Sequence, residues 1–211
     1  MREVWFIRHG QSVSNANQIT TDAAGSALTE QGEAEARQIV RAIPEKPAVV
    51  LLSSFLRARQ TAQPTLDHFA PVATEEWPIH EFTYLSDNKY RGKRMEDRIP
   101  YARSYWQQED PHYEDDGVAE SFAAFVARLQ QVKAMMLDHE AQFMVAFSHG
   151  LFIRGLMWAV TSAHVEATAA GFRSYRSFFR TVATPNGAIS KFSLSDDRIR
   201  LTGLDSSHMV I

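Results

Sequence analysis

The chain has no cysteine. Disulfides and thiolate metal sites are therefore excluded, and a reducing compartment fits. It also lacks a basic excess: 22 Lys and Arg stand against 25 Asp and Glu, for a formal net charge of -3. A general nucleic-acid binder would carry the opposite balance, so no nucleic-acid partner is expected. Long apolar runs are missing too. The most apolar stretch, Leu151 to Val160, is interrupted by Arg154 and is too short to cross a bilayer, so no membrane partner is expected. The first residues show no basic segment leading to an apolar stretch and a small-residue cleavage site, so no secretory leader is read. Internal repeats, low-complexity tracts and linkers are lacking as well. The expectation is a globular cytoplasmic protein; its oligomeric state is not legible.

The 211 residues, 45% of them hydrophobic, are enough to bury a sizeable core, and the expectation is one domain over 1–211. Val4–Ile7, Ala48–Leu52 and Phe143–Phe147 are short continuous apolar runs, rich in β-branched and aromatic residues. Such runs suit strands covered on both faces, as in a parallel sheet. Helical patterns lie between them. Thr29 reads as an N-cap, Ala36, Ile39, Val40 and Ile43 share one face, and Pro44 ends the pattern. A second helix should run from Arg57, with Pro64 kinking or ending it. Glu120–Leu137 places Phe122, Phe125, Val126, Leu129, Val132 and Met136 on one stripe, and another helix opens at His149. Near the end, Pro185-Asn186-Gly187 signals a turn, followed by alternation through Leu194. Strands alternating with helices predict an α/β fold: a three-layer sandwich with a mostly parallel central sheet flanked by helices. Residues 82–117 break the pattern. They are polar, aromatic and irregular, basic in the first half and acidic in the second, and contain Pro100 and Pro111. They read as a lid-like insertion laid over the main layer.

In open α/β sheets, ligands collect at the carboxyl ends of the strands. Two of the expected strands end in similar pairs, Arg8-His9-Gly10 and Ser148-His149-Gly150, and a third ends in Ser53-Ser54-Phe55-Leu56-Arg57. One such pair alone would pass for a hydrogen-bonded structural histidine. Two imidazoles and two guanidiniums on one rim would repel one another unless they held an anion. Guanidinium forks match the oxygens of a phosphate bidentately, which makes phosphate the natural guest. Glycine at these turns lets the chain bend sharply and bring main-chain N–H groups close to a ligand.

Taken in order, these blocks resemble the histidine phosphatase superfamily, also called phosphoglycerate-mutase-like. Arg8-His9-Gly10-Gln11-Ser12 with Asn15 is similar to its opening signature. Leu28-Thr29 with Gly32, Ser53 to Ala62, Ala119-Glu120-Ser121-Phe122, Ser148-His149-Gly150 and Pro185-Asn186-Gly187 follow as in the family. The resemblance spans nearly the whole chain. It implies that His9 is a nucleophile forming a phosphohistidine, with Arg8, Arg57 and His149 making the phosphate pocket. A neutral imidazole is nucleophilic near neutral pH, and phosphoryl transfer needs chiefly positioning and charge stabilisation. His149 would serve best as an imidazolium and His9 unprotonated, so their pKa values should be pushed apart. Gln11, Ser12, Asn15 and Gly150 are candidates for phosphate or substrate binding.

A general acid is needed for the leaving oxygen. The resemblance points to a carboxylate after the second arginine, and Glu81 is the candidate. Glu120 is the rival, though at the head of a long helix an acidic residue is stabilised by the dipole in any case. His80 should face away from Glu81 if the segment is extended, and His68, His112, His139, His164 and His208 are assigned no role. The text after Glu81 is longer and more basic than the family's short glycine- and tryptophan-containing segment. This suggests a lid whose Tyr84, Tyr90, Tyr101, Tyr105 and Trp106 either touch the leaving group or simply pack the insertion down.

The resulting expectation is a metal-independent phosphomonoesterase with no cofactor, acting on a small phosphorylated molecule or a phosphoprotein. The alternatives are a phosphoglycerate mutase, which returns the phosphoryl group to substrate, and a phospho-ligand-binding pseudoenzyme. A metallohydrolase is disfavoured because the sequence shows no compact Asp/His ligand cluster.

Overall fold

The computed structural model describes residues 2–163 and 165–209. Six strands form one sheet: β1 (Arg2–Arg8), β2 (Val49–Leu52), β3 (Ala73–Glu76), β4 (Phe143–Ser148), β5 (Ile189–Ser195) and β6 (Arg198–Asp205). Their order is β3-β2-β4-β1-β5-β6. The first four are mutually parallel, whereas β5 runs antiparallel to both β1 and β6. The mostly parallel α/β sandwich expected from the sequence is the fold observed.

The apolar runs form central strands because alternate side chains serve two different cores. On one face, Val4, Phe6, Val49, Leu51, Met144 and Ala146 meet helices α4 (Phe122–Asp138), α5 (Gly150–Thr161) and α6 (Ala169–Thr181). On the other, Trp5, Ile7, Val50, Leu52, Val145 and Phe147 meet α1 (Glu30–Ala42) and α2 (Leu56–His68). Among the described residues, no helix is long and apolar enough to cross a membrane.

Helix starts follow side-chain caps. The Thr29 hydroxyl accepts from the Gly32 N–H at 3.1 Å, and the Ser121 hydroxyl from the Ala124 N–H at 3.3 Å. The α4 helix thus begins after Ser121, leaving Glu120 outside it. Of the two outcomes expected at Pro64, a kink or an end, the end does not occur, and α2 runs on to His68. A lost main-chain bond costs about 3 kcal/mol; burial of Ala58, Ala62 and Thr65 against the body of the fold offsets it. The turn at Pro185–Gly187 leads into β5, with the Ala188 N–H donating to the Pro185 carbonyl and Gly187 at φ +73. β5 is buried almost throughout, with Phe192 and Leu194 in one core and Ile189 in the other.

The insertion is more regular than its composition implied. It holds a 14-residue helix, α3 (Met95–Gln108), that accommodates Pro100 in its second turn. The Asp97 carboxylate caps it by accepting from the Arg94 N–H at 2.8 Å. Tyr105 and Trp106 are buried against Phe82 and the Phe172, Tyr175 and Phe179 rings of α6. Those aromatics fasten α3 to the body, a partnership that local pattern does not reveal.

Candidate active site

The carboxyl ends of β1, β2 and β4 lie side by side and deliver the expected residues to one rim. Main-chain bonds fix the end of β1 on both sides: His9 N–H donates to the Ser148 carbonyl, and Arg8 N–H to the Ala188 carbonyl, both at 3.0 Å. Beyond it the chain passes tightly under α1. A Cβ on Gly10 would sit 2.4 Å from the Gly32 carbonyl oxygen, and one on Gly32 would sit 2.0 Å from that of Gln11. Gly10 is therefore dictated by backbone approach to α1, not by room for a phosphoryl group.

His9 is buried, and its hydrogen bonds define its tautomer. Its Nδ1 lies 2.7 Å from the Gly10 carbonyl, and its Nε2 is 3.0 Å from Arg57 Nε. A carbonyl only accepts and a guanidinium only donates. The proton is thus on Nδ1, and Nε2 presents a lone pair. Burial, then the charges of Arg57 and Arg8, push the His9 pKa well below the ordinary value of 6.5. His149, which precedes α5, has its ring centroid 5.1 Å from that of His9 and its Nε2 2.8 Å from the Ser53 hydroxyl. Burial, followed by the Arg57 charge, lowers its pKa as well. The two histidines are therefore displaced in the same direction, not apart as expected, because both sit in one buried, cationic neighbourhood.

The arginines are held by carbonyls. Arg57 Nη1 donates to the Ala23 carbonyl at 2.7 Å, and Arg8 Nη1 to that of Thr184 at 2.6 Å. Arg8 Nε is buried without a partner, and a Cβ on Gly150 would come within 3.1 Å of it. Burial chiefly lowers the Arg8 pKa to about 10, a value partly restored by Glu81. Gly150 thus makes room for the Arg8 side chain.

Glu81 follows β3 on a segment without regular structure that is clamped from two sides. The Ser148 hydroxyl donates to the Ile79 carbonyl, and Arg128 Nη1 donates to those of Pro78 and His80. The Glu81 carboxylate accepts from the N–H groups of Leu151 and Phe152 at 3.0 Å, at the start of α5. Glu120 is placed elsewhere. Its carboxylate takes Arg128 Nε and Nη2 at 2.8 and 2.7 Å, outside the cavity.

A cavity of about 140 Å3 lies between these groups, and Arg8, His9, Ser12, Asn15, Arg57 and Glu81 all line it. Asn15 Oδ1 accepts from the Ser12 hydroxyl and from Asn186 Nδ2, both at 3.1 Å, so its amino end is what it has to offer the cavity. Gln11 is not brought in. Its side chain bonds Gln31 and Thr29 on the α1 side. His149 sits behind His9, below the cavity surface. His80 is not turned fully away, since its ring lies 5.7 Å from that of Phe55, a cavity wall.

Three contributions were not singled out in the sequence. Ser53 orients His149. Asp22, like Ser14 and Ser26, lines the cavity from the loop before α1. Arg98 of α3 reaches in from the insertion, its guanidinium 4.4 Å above the Tyr90 ring and bonded to the Ser14 and Thr20 hydroxyls. The position of Ser53 directly after β2 was a usable signal for it, but nothing local distinguished Arg98 from the five other basic residues of the insertion. Of the insertion's aromatics, Tyr84 and Tyr90 line the cavity, whereas Tyr105 and Trp106 are core and Tyr101 lies under Lys89. His68, His112, His139 and His208 lie outside the cavity, and His164 falls outside the described residues. Among the described residues, no group of three or more His, Asp or Glu could hold a metal ion.

An imidazole lone pair, surrounded by guanidinium and amide donors in a cavity that also holds the carboxylates of Glu81 and Asp22, can attack an electrophile whose oxygens are anionic. Known proteins share sequence and fold with this chain. Phosphoglycerate mutases that depend on 2,3-bisphosphoglycerate, from Bifidobacterium longum, are 29% identical over 195 residues, covering 78% of this chain and 79% of theirs. The fold matches that of an alpha-ribazole phosphatase from Shigella flexneri, with a TM-score of 0.75, 19% identity and coverage of 97% and 96%. It also matches a phosphoserine phosphatase from Entamoeba histolytica, with a TM-score of 0.74, 17% identity and full coverage of both chains. A family model described as histidine phosphatase superfamily (branch 1) matches residues 4–206, nearly the whole chain, and the protein belongs to that superfamily.

Proposed function

We propose that this protein is a metal-independent phosphomonoesterase working through a phosphohistidine on His9. The observation that carries the reading is the tautomer of His9: Nδ1–H on the Gly10 carbonyl, with the Nε2 lone pair beside Arg57 in the cavity. In the first step, Nε2 attacks phosphorus and the P–O bond to the alcohol breaks. Glu81 gives a proton to the departing oxygen. The Gly10 carbonyl steadies the positive charge that the ring gains, and Arg8 and Arg57 balance the phosphoryl oxygens. In the second step, water attacks phosphorus, Glu81 takes back a proton, and the P–N bond breaks to release phosphate and free His9. His149 braces this exchange, and the arriving phosphoryl charge counters the burial that keeps its ring neutral.

Phosphate release from an aryl phosphate, with a chelator present, should proceed in the wild type and vanish in His9→Ala. The trapped phosphoenzyme should survive base and decompose in acid. Activity that requires added metal, or persists in His9→Ala, would refute the reading. The curated relatives favour a second reading, a mutase. It predicts dependence on a bisphosphorylated primer and interconversion of phosphoglycerates faster than hydrolysis. A pseudoenzyme would bind phosphate without turnover.

A further inference from the structure

A larger cavity, of about 520 Å3, adjoins the one beside His9. Ala23, Phe55 and Thr83 line both. An ester whose phosphoryl group lies against His9 therefore has one adjoining space for its alcohol, past Phe55. The walls of that space are notable for their charge. Ser54, Thr83 and Asn88 offer hydroxyls and an amide, Phe55 offers a ring, Asp87 is a carboxylate, and among the described residues no lysine or arginine lines it. His80, also in the wall, is neutral at pH 7: burial, followed by Arg128, pushes its pKa to about 4.

The cations nearby are already engaged. Lys89 is held by Asp116 at 2.9 Å, and Arg128 by Glu120 at 2.7 Å. The three guanidiniums of the smaller cavity are tied to the Thr184 carbonyl, to His9 and the Ala23 carbonyl, and to the Ser14 and Thr20 hydroxyls. None of them lines the larger space. Arg8, Arg57 and Arg98, the guanidiniums that line the smaller cavity, thus lie on the phosphoryl side.

We propose that the larger cavity seats the leaving alcohol and selects uncharged, hydroxyl-bearing alcohols of sugar or nucleoside type over alcohols that carry a carboxylate. The inference rests on the phosphatase reading above. A carboxylate placed there gives up water without gaining a cation, and it faces Asp87. A hydroxylated ring finds donors, acceptors and an aromatic face.

The test measures kcat/KM with a chelator present, for glucose 6-phosphate and adenosine 5'-monophosphate against 3-phosphoglycerate and 2-phosphoglycolate. An aryl phosphate and His9→Ala serve as references. The neutral alcohol esters should be hydrolysed at least about tenfold more efficiently. In Asp87→Asn, which keeps the acceptor that bonds the Ala23 N–H, that preference should narrow about fivefold, the scale of one screened like-charge contact. If the aryl phosphate is not hydrolysed, or is still hydrolysed by His9→Ala, the phosphatase reading itself fails. If it is hydrolysed through His9 but the carboxylate esters match or exceed the neutral ones, the selectivity proposal alone is overturned. An unchanged preference in Asp87→Asn overturns it as well.

Discussion

Acidification should destabilise this protein well before its carboxylates titrate, and the cause is the pair of histidines at the centre of the site. His9 is 2% and His149 0% exposed, and both have pKa values well below 6.5 when folded. Unfolded, each returns to an ordinary value near 6.5. The folded pKa is depressed, so the unfolded chain binds protons first as pH falls. The stability of the neutral pair is complete above about pH 6.5 and drains away below it. While the folded rings stay neutral, each histidine contributes a loss of about 1.4 kcal/mol per pH unit. Between pH 7.5 and 5.5 the pair should thus remove up to about 3 kcal/mol, a large share of a typical total stability of about 5–15 kcal/mol. His80, partly buried with its pKa lowered to about 4, adds a smaller loss in the same window. Urea unfolding, followed by the fluorescence of the four tryptophans, all buried, measures this directly. His149→Gln should lose between a third and a half of the pH dependence, because His9 and the partly buried His80 retain theirs. A stability that stays flat or rises as pH falls to 5.5 would refute the reasoning, as would a His149→Gln profile parallel to the wild type.

Two further substitutions separate roles within the site. Arg57→Lys keeps the charge but cannot reach both His9 Nε2 and the Ala23 carbonyl. Its kcat/KM on an aryl phosphate should fall about 10²–10³-fold, and a value within threefold of wild type would contradict the assigned geometry. Glu120→Ala leaves Arg128 buried without its carboxylate. It should cost about 2 kcal/mol in urea unfolding, discounted for partial exposure, while a phosphohistidine still forms. Loss of turnover at unchanged stability would instead make Glu120 the acid.

Much of the core architecture was legible because it rests on local patterns. The runs Val4–Ile7, Ala48–Leu52 and Phe143–Phe147 are apolar throughout because helices cover both faces of the sheet. Thr29 is read as a cap because a side-chain oxygen two or three residues from an unpaired N–H is a local arrangement. The rim of Arg8, His9, Arg57 and His149 followed from strand ends alone, since in a parallel sheet those ends share one edge.

Other features were decided only when distant segments met. Helix α3 and its Arg98 were hidden in a polar, proline-containing stretch because the partners of Tyr105 and Trp106 lie on α6. Gln11 and Asn15 were both candidates for a phosphate, Asn15 the better by family resemblance. The chain's passage beneath α1 turned one toward Gln31 and the other into the cavity. Glu81 and Glu120 were rivals until Arg128 took Glu120 and the start of α5 took Glu81. The shared downward shift of His9 and His149 likewise depends on burial, which belongs to the assembled site and to neither residue. The sequence by itself determined the central strands β1, β2 and β4 and the shared edge at which Arg8, His9, Arg57 and His149 lie, because strand period, caps and parallel topology are local or repetitive rules. The edge strands β3 and β6 were not legible. The tertiary structure alone decided which polar side chains face the cavity, which carboxylate is paired with Arg128, and the tautomer that puts the His9 lone pair on Nε2 beside Arg57, because each depends on contacts between segments far apart in the chain.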